Sequence, residues 1–321
     1  MEEVAENISN LVIAAYKRIS QHIHKTPLEY SDFLSSKNGS AYLKLENLQH
    51  TGSFKLRGAL SFLTNLSNEG RKKIVTASTG NHGMAVAYSL QKLGGNCKIY
   101  LPKGANESKV DKLKKLNAEL IFHGIDSVES EFMAKKFANQ ENYIYLSPYN
   151  DNLVIAGQGT IGIELQEQLE KIDNLFVTIG GGGLISGVAG YLKSINPKLK
   201  VFGCLPENSP VMSESIKEGK IIEMEVKDTL SDGSSGGIEK DAITFNYCQT
   251  LIDEFILVTE DEIQQSIIDV FYNHKQVIEG AAGVAVASFQ KIKTSISGNS
   301  VIIICGGNIH MPKFTSIICQ N

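Results

Sequence analysis

The sequence contains no uninterrupted apolar run that approaches the roughly 18 residues needed to span a membrane. We therefore expect no membrane contact. Nor is there an excess of basic residues, since 31 lysines and arginines stand against 35 aspartates and glutamates, for a formal net charge of −4. A general nucleic-acid binder would need a basic face, so this charge argues against nucleic acid as a partner.

Cysteine is scarce, and the sequence has no CxxC pair. The five cysteines are Cys97, Cys204, Cys248, Cys305 and Cys319. An odd and scattered set predicts neither a zinc site nor a disulfide framework. The acidic N-terminal stretch MEEVAENISN also lacks the basic-then-apolar order of a signal peptide. Together these absences favour the reducing environment of the cytoplasm.

Strand-like and helix-like segments alternate along most of the 321 residues, a length that suits two domains. KIVTAS (Lys73 to Ser78) predicts a buried strand, and the segment 80–94 after it predicts a helix. NLFVTIG, LKVFGCLP and SVIIICGG are further apolar runs that end at turns. Such alternation predicts an α/β fold with mainly parallel sheets. The polar stretch SPYNDN (Ser147 to Asn152) is the best candidate for a domain boundary.

One lysine has an unusual position, within TGSFKLRGAL (Thr51 to Leu60). Gly52 and Ser53 predict a turn and a helix N-cap, so Lys55 falls in the first helical turn. The helix dipole disfavours a cation there. Lys55 is therefore either an exposed lysine without a special role or a lysine of lowered pKa that is neutral or forms a Schiff base.

Two glycine-rich turns follow predicted strands. STGNHG (residues 78–83) offers backbone N–H groups and hydroxyls at a helix N-terminus, which can bind a carboxylate; the alternative is a plain turn with a capping side chain. GGGGLISG (residues 180–187) predicts a phosphate cradle, because glycines let the backbone approach a ligand closely. It lacks the lysine of a P-loop but comes close to a dinucleotide fingerprint. With Glu207 after the next strand, a nicotinamide enzyme is the alternative.

A third turn, CGGN (residues 305–308), places a thiol at the end of a buried strand, where a structural cysteine is the ordinary interpretation. In order and spacing, SFKLRGA, STGNHG, GGGGLISG, EGAAGVA and CGGN resemble the fold type II pyridoxal-phosphate enzymes, in particular the serine/threonine dehydratase and serine racemase group. The resemblance runs from about Asn7 to Met311. It implies a two-domain, tryptophan synthase β-like α/β fold with mainly parallel sheets flanked by helices.

The resemblance also implies a domain division and a role for individual residues. A large domain (1–75 and 149–321) and a small mobile domain (76–148) would hold pyridoxal 5′-phosphate between them, in a homodimer. Lys55 would carry the Schiff base and act as general base, and Thr79 would be the second base of a racemase. The substrate carboxylate would contact Ser78, Thr79, Gly80, Asn81 and His82. The cofactor would contact Phe54, Lys55, Asn81, Gly180, Gly181, Gly182, Gly183, Leu184, Gly233, Glu279 and Cys305.

The implied reaction is β-elimination of L-threonine or L-serine to a 2-oxo acid and ammonia. Alternatives are an amino-acid racemase, a dehydratase of another β-hydroxy amino acid such as hydroxyaspartate, and a binding protein without activity. We expect no metal, because the positions that match the family's divalent-cation site are Leu205, Ser209 and Val211, with Glu207 displaced. The sequence ends at Asn321, so we also expect no regulatory domain.

Overall fold

The computed structural model of the protein describes residues 1–105, 107–125 and 127–319. Its strands form two sheets. The strands are β1 (Leu28–Tyr30), β2 (Ala41–Leu45), β3 (Ile74–Ala77), β4 (Cys97–Leu101), β5 (Glu119–Phe122), β6 (Ile144–Tyr145), β7 (Asn174–Thr178), β8 (Lys200–Pro206), β9 (Glu254–Val258) and β10 (Ser300–Ile304). One sheet has the order β1-β2-β10-β7-β8-β9 and the other the order β5-β4-β3-β6.

Helices cover the sheets and connect most of their strands. They are α1 (Glu2–Ile19), α2 (Lys55–Thr64), α3 (Asn81–Leu93), α4 (Glu107–Lys115), α5 (Ser127–Glu141), α6 (Asn152–Gln168), α7 (Gly183–Ile195), α8 (Val211–Lys217), α9 (Ile243–Leu251), α10 (Glu260–His274), α11 (Gly280–Ile292) and α12 (Met311–Ile318). None of the helices in the described part of the chain combines the length and apolarity that a bilayer crossing requires.

All strand pairs are parallel except β1 with β2, which lie antiparallel at one edge. The central strands β7 and β10 are buried along their whole length, as expected for parallel strands covered by helices on both faces. The α/β fold with mainly parallel sheets predicted from the alternation of segments is therefore confirmed. In parallel sheets the carboxyl ends of neighbouring strands lie at one edge, where the loops after them can meet.

The four-stranded sheet is built from residues between Ile74 and Tyr145. Its hydrophobic core extends beyond that range, because Leu56 and Leu60 of α2 pack into the same cluster as Ile99 of β4. Helix α2, which carries Lys55 at its first position, thus contacts the core of the smaller sheet. A division at residues 75/76 and 148/149 stays a prediction.

Four charged side chains, all buried, anchor the first turn of α2 through Arg57. The Arg57 guanidinium lies 2.8 Å from Glu46 and 2.7 Å from Glu164, and the Lys44 amine lies 2.6 Å from Glu164. Burial alone would raise the pKa of Glu46, but the charge of Arg57 and its hydrogen bonds hold it below the usual value. Two cations and two carboxylates balance, so the cluster carries no net charge into the core.

Candidate active site

The turn before Lys55 is hydrogen-bonded to the loop that follows β10. The Phe54 N–H donates to the Cys305 carbonyl at 3.0 Å, and the Gly307 N–H donates to the Gly52 carbonyl at 2.9 Å. Gly52 has φ +72°, a left-handed conformation that favours glycine. These bonds place Lys55 at the carboxyl edge of the larger sheet, beside the CGGN turn.

The local start of this helix differs from the sequence prediction. Helix α2 begins at Lys55, so the lysine does occupy the first turn, but Phe54 rather than Ser53 stands at the N-cap and makes no side-chain cap bond. The predicted Ser53 cap is therefore wrong. The backbone of Ser53 instead forms a β-bridge with Gly306, which removes it from the cap position.

The Lys55 amine is held in a desolvated setting. Its Nζ donates to the Pro148 carbonyl at 2.9 Å and lies 5.1 Å from the centre of the Phe54 ring. Burial lowers the pKa of Lys55 to about 8, although Cys305 and Glu279 partly oppose the shift. Burial therefore makes the neutral, nucleophilic form of this amine far easier to reach near neutral pH than in an ordinary lysine.

A carboxylate and two amides join three segments around Lys55. The Asn81 Nδ2 donates to both Glu279 oxygens, at 2.8 and 3.0 Å, while its Oδ1 accepts from Asn308 Nδ2 at 2.8 Å. The Asn308 side chain also donates to the Thr51 carbonyl at 2.8 Å. These bonds fix the start of α3, the start of α11 and the turn before α2 relative to one another.

The STGNHG turn connects β3 to α3. Ser78, Thr79 and Asn81 are partly buried, and the Gly80 N–H donates to the Ser78 hydroxyl at 3.2 Å. Burial and then the nearby Lys55 lower the pKa of His82 to about 3, so its imidazole is neutral. Because the Leu146 carbonyl 3.0 Å away can only accept, His82 Nε2 carries the proton.

The glycines of residues 180–183 lie between β7 and the start of α7 and have no room for side chains. A Cβ at Gly181 would lie 2.4 Å from the Tyr149 ring, and one at Gly183 would lie 2.7 Å from Gln158 Oε1. Gly182 has φ +84°. The backbone at the N-terminus of α7 can therefore receive an anion, with Leu184 buried in the first turn behind it.

The remaining predicted residues lie around Glu279. Burial, with a contribution from Glu279, raises the pKa of the Cys305 thiol well above its usual value. Cys305 is thus a neutral thiol, close enough to Lys55 for each group to affect the pKa of the other. A Cβ at Gly233 would lie 3.6 Å from Glu279 Oε1, so the SDGSSGG segment reaches the same place.

Sequence reasoning missed several residues of this site. Tyr149 and Gln158 wall the glycine loop, Pro148 holds the Lys55 amine, and Asn308 bonds Asn81. Asn308 could have been identified from the sequence, because it ends the CGGN motif. No sequence pattern marked Tyr149, Gln158 or Pro148 as site residues, because their role depends on contacts with other segments of the chain.

The loop after β8 shows no arrangement typical of a cation site. Leu205, Ser209 and Val211 are buried, and Glu207 is exposed. Among the residues that the structure describes, no group of three or more His, Cys, Asp or Glu side chains could hold a metal ion. The expected independence from metal stays a prediction.

We expect chelation to leave both activity and melting temperature of the protein nearly unchanged. Mg²⁺ and Ca²⁺ prefer several oxygen ligands, usually including carboxylates, and Glu207 is the single acid in CLPENSPVM. The measurement is turnover and thermal unfolding after EDTA treatment, then after millimolar Mg²⁺ or Ca²⁺ is restored. A large loss that either cation reverses would contradict this prediction.

An amine of lowered pKa and a glycine-rich helix N-terminus are groups that suit a cofactor with an aldehyde and a phosphate. A family model for pyridoxal-phosphate dependent enzymes matches residues 19–306. The chain belongs to this family, and its cofactor is therefore pyridoxal phosphate rather than a nicotinamide. The family resemblance inferred from the five motifs is confirmed.

Individual relatives cover nearly the whole chain. The chain is 39% identical over 311 residues to the catabolic L-threonine dehydratase of Escherichia coli, covering 95% of this chain and 94% of that protein. It is 40% identical over 307 residues to an L-threonine ammonia-lyase of Thermotoga maritima, covering 95% and 76%. The solved structure of maize serine racemase superposes with a TM-score of 0.90 at 29% identity, covering 97% of both chains.

Proposed function

We propose that this enzyme is an ammonia-lyase that converts L-threonine, L-serine or both to a 2-oxo acid and ammonia. The observation that carries the proposal is Lys55, whose amine of lowered pKa bonds to Pro148 and lies close enough to His82 of the STGNHG turn to lower the pKa of that imidazole. Tyr149, the residue after Pro148, lies against Gly181 of the glycine loop. The two relatives named as threonine dehydratase or ammonia-lyase support the same reaction.

The chain offers suitable groups for each part of the cofactor. Lys55 would hold the aldehyde carbon, and the N–H groups of residues 180–184 would bind the phosphate. Asn81, already fixed by Glu279, would donate to the ring hydroxyl, with Phe54 beside the ring and Gly233 at its edge. Cys305 would face the ring nitrogen. When bound, the cofactor supplies an electron sink for the charge left on the substrate Cα.

Residues of the chain would bind the substrate and remove its Cα proton. Ser78, Thr79, Gly80, Asn81 and His82 would hold the substrate carboxylate through backbone N–H groups and side chains at the start of α3. The freed Lys55 Nζ would take the Cα proton, a task that suits a pKa near 8. The neutral Cys305 thiol does not favour a protonated ring nitrogen as an aspartate would, which suits prompt elimination.

The test is keto-acid release from a panel of amino acids by the purified holoenzyme. We expect turnover with L-threonine or L-serine that exceeds turnover with 3-hydroxyaspartate. Preference for 3-hydroxyaspartate would show that the enzyme catalyses the proposed elimination on a different substrate. A colourless protein that takes up no pyridoxal phosphate would overturn the proposal.

Racemisation is the second candidate, favoured by the overlay on maize serine racemase and by the hydroxyl of Thr79 in the anion-binding turn. If it occurs, Thr79→Ala should abolish interconversion of D- and L-serine while leaving deamination of the L-isomer largely intact, because the variant loses the second base but keeps the backbone N–H groups that would hold the carboxylate. Chiral analysis of recovered substrate measures this. Racemisation that survives the change would reject Thr79 as that base.

Three further expectations belong to this proposal: a homodimer, a location in the cytoplasm, and a mobile domain at residues 76–148. The family resemblance supports the homodimer and the mobile domain. The location in the cytoplasm is supported by the five cysteines within the described residues, which are free thiols, as suits a reducing compartment. Sedimentation analysis of the holoenzyme would measure the oligomeric state directly.

A further inference from the structure

Gln158 lies between the reactive lysine and the glycine loop, although no motif pointed to it. It stands in the middle of α6 and is 1% exposed. Its Nε2 lies 3.3 Å from the Pro148 carbonyl. On the other side, a Cβ at Gly183 would be 2.7 Å from its Oε1. A Cβ at Gly58, one turn after Lys55, would be 3.2 Å from its Nε2.

The two ends of the Gln158 amide are bonded differently. Nε2 shares the Pro148 carbonyl with the Lys55 amine, which donates to the same oxygen at 2.9 Å. Oε1 is buried beside the glycine loop and has no hydrogen-bond partner within the described ranges. A buried acceptor without a partner lowers stability. A gain in the stability of the cofactor-free chain therefore does not explain why position 158 holds a glutamine.

The shared carbonyl matters when Lys55 reacts. If the neutral Lys55 amine bonded to the aldehyde carbon, its two protons would leave with the aldehyde oxygen as water. The imine nitrogen would then carry at most one proton, which the cofactor's ring hydroxyl would accept, so Lys55 would no longer donate to Pro148. Without Gln158 this partly buried carbonyl would lose both of its donors, at a cost in free energy.

We propose that Gln158 is a positioning residue for Lys55, whose amide keeps the Pro148 carbonyl bonded while the lysine amine is used by the cofactor. The proposal rests on Lys55 as the cofactor-bearing lysine and does not depend on which amino acid is the substrate. It assigns Gln158 a role in cofactor loading and none in holding the cofactor-free fold together.

The test compares cofactor binding with stability in Gln158→Leu. The purified holoenzyme is stripped of cofactor and titrated with pyridoxal 5′-phosphate, with visible absorbance as the readout. Borohydride reduction and peptide mapping identify the lysine that bears the label. We expect the dissociation constant to rise about tenfold, the effect of one unsatisfied carbonyl. The melting temperature of the stripped chain should stay equal or rise, since the unpaired Oε1 is gone.

Gln168→Leu is the matched control, because Gln168 lies in the same helix with both ends of its amide bonded. Its Nε2 donates to the Thr26 carbonyl and its Oε1 accepts from Lys44, both at 2.9 Å. This variant should lower the melting temperature of the stripped chain and leave cofactor affinity unchanged. Gln158→Glu is the second test variant; its carboxylate cannot donate to Pro148, so it should weaken binding at least as much as leucine.

Two outcomes would overturn the proposal. One is a dissociation constant within twofold of wild type in both Gln158 variants. The other is a Gln158→Leu chain that is insoluble or melts lower than wild type when stripped, because the amide would then be structural. None of these measurements uses an amino-acid substrate, so they remain separate from failure of the proposed lyase activity.

Discussion

Turnover should fall by about 10²–10⁴-fold or more when Lys55 is replaced by alanine, the range typical of a lost acid/base group. The change removes both the covalent hold on the cofactor and the base for the substrate Cα proton. Its setting is the reason for so large an effect: burial lowers the pKa of Lys55 to about 8, and no other lysine donates to Pro148 within the described chain. The measurement is keto-acid release together with the visible absorbance of the bound cofactor.

Lys55→Arg is the control that separates charge from nucleophilicity. Arginine keeps a cation beside Cys305 and Glu279 but stays protonated and cannot take the Cα proton. We expect it to be as inactive as the alanine variant. Near-normal turnover in Lys55→Ala would reject the assignment of this lysine, whatever the behaviour of the arginine variant.

The largest effect on stability is expected from Arg57→Ala. The guanidinium is fully buried and bonds Glu46 at 2.8 Å and Glu164 at 2.7 Å. Its removal would leave two buried carboxylates with Lys44 as the one remaining cation of the cluster. Breaking a buried ion pair from one side costs about 3–5 kcal/mol, a large part of the roughly 5–15 kcal/mol that stabilises a typical protein. Urea unfolding followed by circular dichroism measures the change.

Lys72→Ala provides a comparison at an exposed ion pair. Lys72 lies 2.9 Å from Glu69, but the two side chains are 60% and 83% exposed. Solvent screens such a pair, so this variant should unfold at nearly the wild-type urea concentration. Equal stability of Arg57→Ala and wild type would show that the buried cluster relaxes or takes up water, contrary to our expectation.

Much of this enzyme could be predicted from sequence because the relevant signals are local. A strand followed by a glycine turn and a helix is determined by neighbouring residues, and this held for KIVTAS before STGNHG and for NLFVTIG before GGGGLISG. The alternation of such units was enough for the parallel α/β class. The order of the five motifs was enough for the family and its cofactor.

The capping of α2 could not be predicted in the same way. Ser53 has the right residue type for an N-cap, but its backbone pairs with Gly306, more than 250 positions later in the chain. Tertiary pairing therefore moved the cap to Phe54. Local propensity describes what a segment prefers alone, and a contact from a distant strand end can outweigh it.

What the sequence determined by itself was the fold class, the family and the segments that carry Lys55, the two glycine turns and Cys305. The tertiary structure alone decided which side chains surround them. Gln158 meets Gly183, and Arg57 meets Glu164, because α6 packs against both α7 and α2. The physical reason is that sheet order and helix packing bring together residues of different segments, such as Arg57 and Glu164, which are 107 positions apart, and no local pattern in one sequence records that order.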